Sequence, residues 1–177
     1  MPIDAGGNSG KNYQIKVTLI GSDPAIWRRL LVPADLTLEQ LHRVLQAAME
    51  WQDCHLHEFL IGKQRFGIRD TMERAFGGSH TASERRARLF DVLGRARAKA
   101  IYTYDFGDGW EHAVVVEKCL TPAPGADYPV CVAGERCGPP EDCGGLPGFY
   151  YLLEAMSDPE HEQHDELIGW LGYRFNP

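Results

Sequence analysis

Alternation of apolar and polar residues is the first clear pattern in the chain. Every second residue is apolar between positions 13 and 20, and such residues share one face of a strand because side chains alternate between its two faces. Residues 21–24 have the composition of a turn. A second extended run covers residues 26–32 and ends at Pro33. The pattern therefore predicts two consecutive β-strands.

The next segment carries the signature of a helix N-terminus. Thr37 is followed three residues later by Gln40, the capping-box arrangement in which each side chain bonds the other residue's backbone N–H. The apolar residues that follow recur at helical spacing: Leu38, Leu41, Leu45, Ala48 and Met49. This periodicity predicts an amphipathic helix with one buried face.

A third strand is predicted over residues 55–61. Alternation places His55 and His57 on the same face of that strand. Two imidazoles at this spacing are an arrangement that some zinc enzymes use for two of their ligands. A polar strand face that binds no metal is the alternative.

An Asp-Gly dipeptide between two strand-like runs predicts a β-hairpin. Residues 100–106 and 110–118 are rich in Tyr, Ile, Val and Thr, and a Gly-Asp-Gly segment separates them. If Asp108-Gly109 forms the centre of a two-residue turn, Asp105 lies directly across from His112. The register therefore predicts a carboxylate–imidazole pair on one face of the hairpin.

The predicted Asp105–His112 pair is the candidate catalytic pair. A carboxylate that accepts the ring N–H of a histidine fixes its tautomer and orientation, as a catalytic or metal-binding histidine requires. A cross-strand charge pair with a purely structural role is the alternative. The sequence places no nucleophile beside the pair, so both interpretations stay open.

Three cysteines recur every six residues in a stretch rich in proline and glycine: Cys131, Cys137 and Cys143. This spacing differs from the two-residue gap of a zinc knuckle. Three thiolates and one distant histidine would nonetheless complete a tetrahedral zinc site. The alternative is that each cysteine packs separately as a small apolar side chain.

Two further sets of residues are candidates for binding. Glu141-Asp142 follows two prolines and forms a rigidly presented acidic pair, which would cap the next helix, bind a cation or stay solvated. The basic and aromatic candidates for partner contact are Trp27, Arg28, Arg29 and Trp110. For the two arginines, a solvated strand edge is the alternative.

Local composition assigns the remaining segments. Residues 1–12 are polar and Gly-rich and predict a disordered tail before a single domain over residues 13–177. Residues 69–86 lack apolar periodicity and predict a mobile exposed segment. Pro147 suits the first turn of a helix, and a last amphipathic segment follows Asp158-Pro159. Together these elements predict an α+β fold, with a mainly antiparallel sheet, the first helix on one face and C-terminal helices on the same side or at one end.

Composition narrows the class of protein. A length of 177 residues suits one domain with its own core. Five cysteines, an odd number, and no secretory leader lead us to expect a reducing cytoplasm. No apolar run reaches the length of a membrane helix. A net charge of −7 argues against general electrostatic affinity for nucleic acid, although a local basic patch stays open.

Several motifs in a fixed order resemble those of one family. They lie between residues 13 and 175 and are WRRLLVPADLTLEQLHRVLQAAMEWQDCHLHEF, YTYDFGDGWEH, CVAGERCGPPEDCGG and PGFYYLLEAM. The likeness is to the plasmid pRiA4b ORF-3-like family, which also includes the insertion-element passenger protein TnpR. The resemblance implies association with plasmids or mobile elements and leaves the molecular activity open. It also leads us to expect that a family member continues beyond Pro177.

Two functions from different classes are compatible with these observations. The first is a non-enzymatic binding or adaptor module that engages a protein or nucleic-acid partner. The second is a metal-assisted hydrolase or a resolvase-like DNA-processing enzyme, with zinc as the candidate cofactor. Its site would be a single cleft that brings together His55, His57, Asp105, His112 and Glu141 or Asp142. We favour the module, because spacing alone reveals no nucleophile with its base and no recombinase-like Ser or Tyr context.

Overall fold

The chain folds around one eight-stranded sheet, in a computed structural model that describes residues 10–68, 81–173 and 175–177. The strands are β1 (Asn12–Leu19), β2 (Trp27–Pro33), β3 (His57–Ile61), β4 (Gln64–Gly67), β5 (Thr81–Ser83), β6 (Lys99–Tyr104), β7 (Trp110–Leu120) and β8 (Val130–Glu135). The helices are α1 (Leu38–Met49), α2 (Leu89–Val92), α3 (Gly145–Ser157) and α4 (His164–Leu171).

The sheet is mainly antiparallel. Its strand order is β5-β4-β3-β6-β7-β1-β2-β8, and β4 with β5 is the parallel pair. The predicted α+β class is confirmed, with a large, mostly antiparallel sheet and helices at the C-terminal end of the chain. Within the described ranges, no helix combines the length and the apolar character needed to cross a membrane.

The core lies between one face of the sheet and α1. The alternating apolar residues of β1 are buried, as the sequence pattern predicts, and they pack with the apolar stripe of α1. On the other face of the sheet Glu117 accepts hydrogen bonds from Arg29 and from the side-chain amide of Gln14, both at 2.7 Å. The sheet therefore has an apolar face toward α1 and a polar, half-buried face opposite.

The predicted capping box of α1 is confirmed. The Gln40 backbone N–H donates to the Thr37 hydroxyl at 3.2 Å, and the Thr37 N–H donates to the Gln40 side-chain oxygen at 2.9 Å. Glu50 ends the helix in the left-handed conformation (φ 64°). This end of α1 matters for the site, because Glu50 and the residues after it form one wall of a cleft.

The predicted register of the 100–118 hairpin is wrong. β6 and β7 do pair, but His112 lies opposite Tyr102 and not opposite Asp105. The connection is a five-residue loop, 105–109, in place of a two-residue turn. Asp105 opens this loop with φ 53°, and its carbonyl accepts the Gly109 N–H at 2.6 Å. The residue opposite His112 is thus three positions earlier in β6 than predicted. Because side chains alternate between the two faces of a strand, His112 shares the core-facing side with Tyr102. Asp105 lies outside the ladder.

Other predictions are changed in detail. β3 begins at His57, so His55 lies before the strand and does not share a strand face with it. The cysteine-containing stretch includes an unpredicted edge strand, β8. Residues 1–9 and 69–80, on which most of the predicted tail and mobile segment fall, lie outside the described residues. Residues 81–83, predicted as part of that exposed segment, form β5 and pair with β4.

Candidate functional site

A cleft of about 650 Å³ lies where the end of α1, the 137–142 loop and the C-terminal segment meet. The residues that line it are Met49, Glu50, Gln52, Cys54, Cys137, Gly138, Pro139, Pro140, Glu141, Asp142, Trp170, Leu171, Tyr173, Phe175 and Asn176. These three segments are far apart in the sequence, so the fold itself creates the cleft.

Trp51 fixes the 137–142 loop against the end of α1. Its ring is buried and stacks on Tyr104, with ring centroids 4.9 Å apart, and its indole N–H donates to the Pro139 carbonyl at 2.8 Å. Gly138 lies so close to the helix that an added Cβ would be 2.3 Å from the Met49 carbonyl oxygen. A larger residue would push the loop away, and glycine is therefore required for this contact.

The outer wall of the cleft is aromatic. The Trp170 side chain, on α4, is 49% exposed, and Tyr173 is 59% exposed. Phe175 anchors the segment that follows by packing edge-on against Phe149 of α3, with ring centroids 6.2 Å apart. Two large aromatic side chains thus face solvent at the cleft while a third holds their segment to the protein.

The charged groups of the cleft are acidic. The lining includes the carboxylates of Glu50, Glu141 and Asp142, and no Lys or Arg occurs among the described lining residues. Partial burial raises the pKa of Tyr173, and the nearby Glu50 carboxylate adds to this shift. The cleft therefore favours a positively charged group over an anion.

Glu141 is held by hydrogen bonds from two directions. The Tyr104 hydroxyl donates to its carboxylate, and the Gln52 backbone N–H donates to its second oxygen at 3.2 Å. Burial raises the pKa of Tyr104, and the hydrogen bond to Glu141 raises it further. Tyr104 consequently stays protonated and keeps the Glu141 carboxylate in one orientation.

His55 lies beside Glu141, between two aspartates. Its Nε2 is 3.0 Å from Asp142 Oδ1 and 3.7 Å from Asp105 Oδ2. The Nε2 atom is buried and makes no hydrogen bond of acceptable geometry, even to the closer carboxylate. His55, Asp105 and Asp142 thus form one cluster of possible metal ligands, and His55 with Cys54 and Glu141 forms an adjacent one.

A second histidine network is buried under α1. The rings of His42 and His57 stack with centroids 3.5 Å apart and an interplanar angle of 5°. His42 contacts Asp53 at 2.7 Å and the Tyr102 hydroxyl at 2.8 Å, and His57 contacts Glu84 at 2.8 Å. Burial lowers the pKa of His42, and the neighbouring His57 lowers it further.

The region that matches known proteins includes the whole sheet and all the described helices. The sequence profile of the plasmid pRiA4b ORF-3-like proteins matches residues 11–177, which include every element described above. The chain belongs to the plasmid pRiA4b ORF-3-like family.

Relatives of this pRiA4b ORF-3-like chain extend over most of its length. It is 40% identical over 160 residues to the uncharacterized protein y4hQ of Sinorhizobium fredii, a match that covers 90% of this chain and 80% of y4hQ. It also resembles the crystal structure of MM3350, a protein of unknown function from Methanosarcina mazei Go1. That similarity has a TM-score of 0.82 and 40% identity and covers 94% of this chain and 93% of MM3350.

In this family member the predicted catalytic pair does not form. Asp105 lies in the hairpin loop near His55, whereas His112 is fully buried in β7. Burial lowers the pKa of His112 to about 4. Its Nδ1 donates to the Trp110 carbonyl at 3.1 Å. His112 is therefore a neutral core residue, and only Asp105 of the predicted pair reaches the site.

The predicted zinc ligands are also separated. His55 and His57 belong to different clusters, and none of the ligand clusters among the described residues includes Cys131, Cys137 or Cys143. Burial, with a contribution from Asp108, raises the pKa of Cys143 to about 12, which favours the thiol over the metal-binding thiolate. The three cysteines therefore do not converge on one site; Cys131 is exposed on β8, and Cys137 and Cys143 are half-buried.

Most of the predicted basic and aromatic binding residues are engaged within the protein. Arg28 donates to the carbonyls of Ala48 (2.9 Å) and Arg136 (2.6 Å). Arg29 pairs with Glu117, as described above. Trp27 is half-buried and packs beneath the Lys16 and Arg29 side chains, whereas Trp110 is buried in the core.

Only the acidic pair Glu141-Asp142 remains at an open surface among the predicted binding residues. It does not cap α3, whose N-cap is Gly144 and has no side-chain cap. Asp108 Oδ2 instead accepts the Gly144 N–H at 3.1 Å and ties the hairpin loop to this segment. The acidic pair therefore belongs to the cleft, and cation binding and a solvated surface pair are the two predicted roles that stay open.

Proposed function

We propose that this protein is a non-enzymatic binding module whose cleft takes a short basic segment of a partner protein. The observation that carries the proposal is the combination, in one cleft, of Glu50, Glu141 and Asp142 with the exposed rings of Trp170 and Tyr173. The described lining contains no cation that would compete for these carboxylates.

The chemistry of this wall suits an arginine or lysine side chain. An aromatic face attracts a cation through its negative electrostatic potential, and a partly desolvated cation–aromatic contact contributes about 0.5–2 kcal/mol. Nearby carboxylates add electrostatic complementarity, which raises the association rate and selects against acidic partners. Trp and Tyr are also the residues most often found as energetic hot spots of interfaces.

The size of the cleft fits a segment and not a whole folded surface. Its volume of about 650 Å³ lies within the range of about 300–1,000 Å³ that is typical of ligand pockets. A few side chains of an extended peptide would fill such a volume.

Nucleic acid is the less suitable partner. DNA and RNA bind through phosphate contacts with Lys and Arg, whereas the net charge here is −7 and the cleft is acidic. The two arginines that the sequence offered for such contacts are bonded internally. We place the module in the cytoplasm and in association with mobile DNA as part of the proposal, on the family resemblance and the cysteine content.

The enzymatic alternative placed His55, His57, Asp105 and His112 in one cleft, with Glu141 or Asp142 as an additional member. The cleft region brings together His55, Asp105, Glu141 and Asp142, but His57 lies in the buried network and His112 in the core. The site therefore lacks two of the three histidines that the hydrolase hypothesis assigned to it and keeps His55 with the carboxylates. We therefore favour binding over catalysis.

Titration with short peptides tests the proposal. We expect a Gly/Ser peptide that carries three arginines to bind, measured by calorimetry in EDTA, and the same peptide with glutamates to show no binding. Trp170→Ala should weaken binding at least about tenfold, because the variant removes the aromatic contact. Tyr151→Ala is the matched control, since Tyr151 is an exposed aromatic of α3 outside the cleft lining.

Three results would contradict the proposed function. Equal binding of the basic and acidic peptides would remove the charge argument. Equal effects of the Trp170 and Tyr151 variants would place the contact elsewhere. Tighter binding of a single-stranded or duplex oligonucleotide than of the basic peptide would identify nucleic acid as the partner.

A further inference from the structure

We propose that His55, Asp105 and Asp142 form a zinc-binding site at the edge of the cleft. Nε2 of His55 lies 3.0 Å from Asp142 Oδ1 and 3.7 Å from Asp105 Oδ2. One ligand atom from each of the three residues lies within 4.8 Å of the other two. This inference goes beyond the peptide-binding function and does not depend on it.

The separations match those of ligands around one zinc ion. Zinc binds imidazole nitrogen and carboxylate oxygen at about 2.0–2.2 Å in a tetrahedral arrangement, which places neighbouring ligand atoms about 3.3 Å apart. The two observed separations from Nε2, 3.0 and 3.7 Å, lie on either side of this value. The ligand oxygens of Asp105 and Asp142 lie within 4.8 Å of each other, so binding of one ion would require side-chain rotations that draw the two carboxylates together.

The surroundings of His55 Nε2 also favour a metal ligand over a simple ion pair. The atom is buried and makes no hydrogen bond of acceptable geometry, although a carboxylate oxygen is 3.0 Å away. Buried polar atoms in native proteins almost always have a partner. A shared cation would satisfy the imidazole nitrogen and both carboxylates together.

The loops hold the carboxylates in place. The Asp105 backbone N–H donates to the Leu56 carbonyl at 2.9 Å, and Asp105 Oδ1 accepts the Gly107 N–H at 2.9 Å. These bonds leave Oδ2 as the oxygen nearest His55. Asp142, whose side chain is 67% exposed, brings its carboxylate in from the cleft side.

The buried His42–His57 network fits a metal less well, although it also contains grouped ligands. Its rings are stacked and nearly parallel, so the lone pairs of the two imidazoles run side by side and do not converge on one point. Both ring nitrogens of His42 already contact Asp53 or Tyr102. That network is satisfied by hydrogen bonds alone.

The donor set selects the type of metal. One imidazole and two carboxylates suit zinc, with manganese as the nearest competitor, and are a poor set for soft ions. Three protein ligands are the pattern of zinc sites that leave a fourth position open to water or to a ligand. Asp142 lines the cleft, which places this position within reach of solvent.

Metal titration of tag-free protein tests the site. After removal of bound metal with a chelator, we expect calorimetry with ZnCl₂, and metal analysis after dialysis, to give about one zinc per chain. His55→Ala and Asp142→Asn should each weaken zinc binding by at least about 100-fold, because changes to outer-sphere partners alone cost about 10–100-fold. His161→Ala and Asp127→Asn are the matched controls outside the cluster.

Circular dichroism shows whether each variant folds. If His55→Ala does not fold, Asp142→Asn still tests the site, because it replaces an exposed side chain with one of the same shape. Loss of zinc from both ligand variants, with retention in both controls, supports the site. Absence of zinc binding by the wild-type protein overturns the proposal. Wild-type zinc affinity in Asp142→Asn, or an equal loss in the controls, overturns it as well. The peptide titrations are made in EDTA, so failure of one proposal leaves the other untouched.

Discussion

Mild acid should destabilise the protein through His112. The ring is fully buried and lies between Tyr102 and Trp51, with ring centroids 5.6 and 5.3 Å away. Burial lowers its pKa to about 4, whereas a histidine in an unfolded chain has a pKa of about 6.5. The folded pKa is thus the lower of the two. Above pH ~6.5 both states are neutral and His112 has no effect on the pH dependence.

The magnitude follows from the size of the pKa difference. Between about pH 6.5 and 4 the unfolded state binds a proton that the folded state does not, so the free energy of unfolding falls by about 1.4 kcal/mol for each pH unit. Over the whole interval His112 accounts for about 3 kcal/mol, a large part of the 5–15 kcal/mol that is typical of a domain. The lowered pKa of His42 acts in the same direction.

Urea unfolding at pH 7.5, 6.0 and 5.0 measures this effect. In His112→Asn the short amide can still donate toward the Trp110 carbonyl, but it does not titrate. We expect the variant to be less stable than the wild type at pH 7.5, because ring packing is lost. On acidification, however, its free energy of unfolding should fall less steeply than that of the wild type. The two slopes should differ by about 1.4 kcal/mol per pH unit. His161→Asn, which alters a histidine outside the core, is the matched control.

Two results would refute the reasoning. One is an equal pH dependence of stability in the wild type and in His112→Asn between pH 6.5 and 5.0. The other is an NMR titration of the His112 ring with a midpoint above about pH 6, near the ordinary value for histidine. Either would mean that the buried ring accepts a proton in the folded state.

Other substitutions test single contacts by urea unfolding. Thr37→Ala removes the α1 cap and should cost about 1 kcal/mol; an unchanged stability would contradict the capping role. Arg28→Met removes the donor to the part-buried Ala48 carbonyl and to the exposed Arg136 carbonyl, and it should cost about 1 kcal/mol. An unchanged stability would show that these hydrogen bonds do not hold Arg28, and Arg28 would again be a candidate for partner binding. The hydrogen bonds from Arg29 lower the pKa of Glu117 to about 2. This partly exposed ion pair should therefore add at most about 1 kcal/mol to the free energy of unfolding above pH ~4.5. The contribution should disappear as the pH falls toward 2, and Glu117→Gln should remove this part of the pH dependence.

The elements that the sequence predicted well are those that depend on neighbouring residues. The capping box of α1 joins Thr37 to Gln40, three residues away, and the buried stripe of the helix follows from its own periodicity. The strand β1 likewise shows its buried face in its alternation. Such patterns determine the type and face of an element without knowledge of its partner.

The cleft could not be predicted in the same way. Glu50 and Tyr173 come together only because α1 and the C-terminal segment pack around the 137–142 loop. No periodicity in the sequence encodes a contact between segments more than 100 residues apart. The available signal was indirect, namely the aromatic residues Trp170 and Tyr173 close together near the end of the last amphipathic segment.

The turn that gave the wrong register also explains how the cluster at the cleft is built. A two-residue turn at Asp108-Gly109 would have kept Asp105 in the ladder opposite His112. The loop instead begins at Asp105, whose backbone N–H bonds the carbonyl of Leu56, the residue after His55. This bond brings the carboxylate to 3.7 Å from His55 Nε2. The same odd-numbered shift turns His112 inward to pack against Tyr102. One change in loop length thus converts a predicted cross-strand pair into a core histidine and a carboxylate beside the cleft.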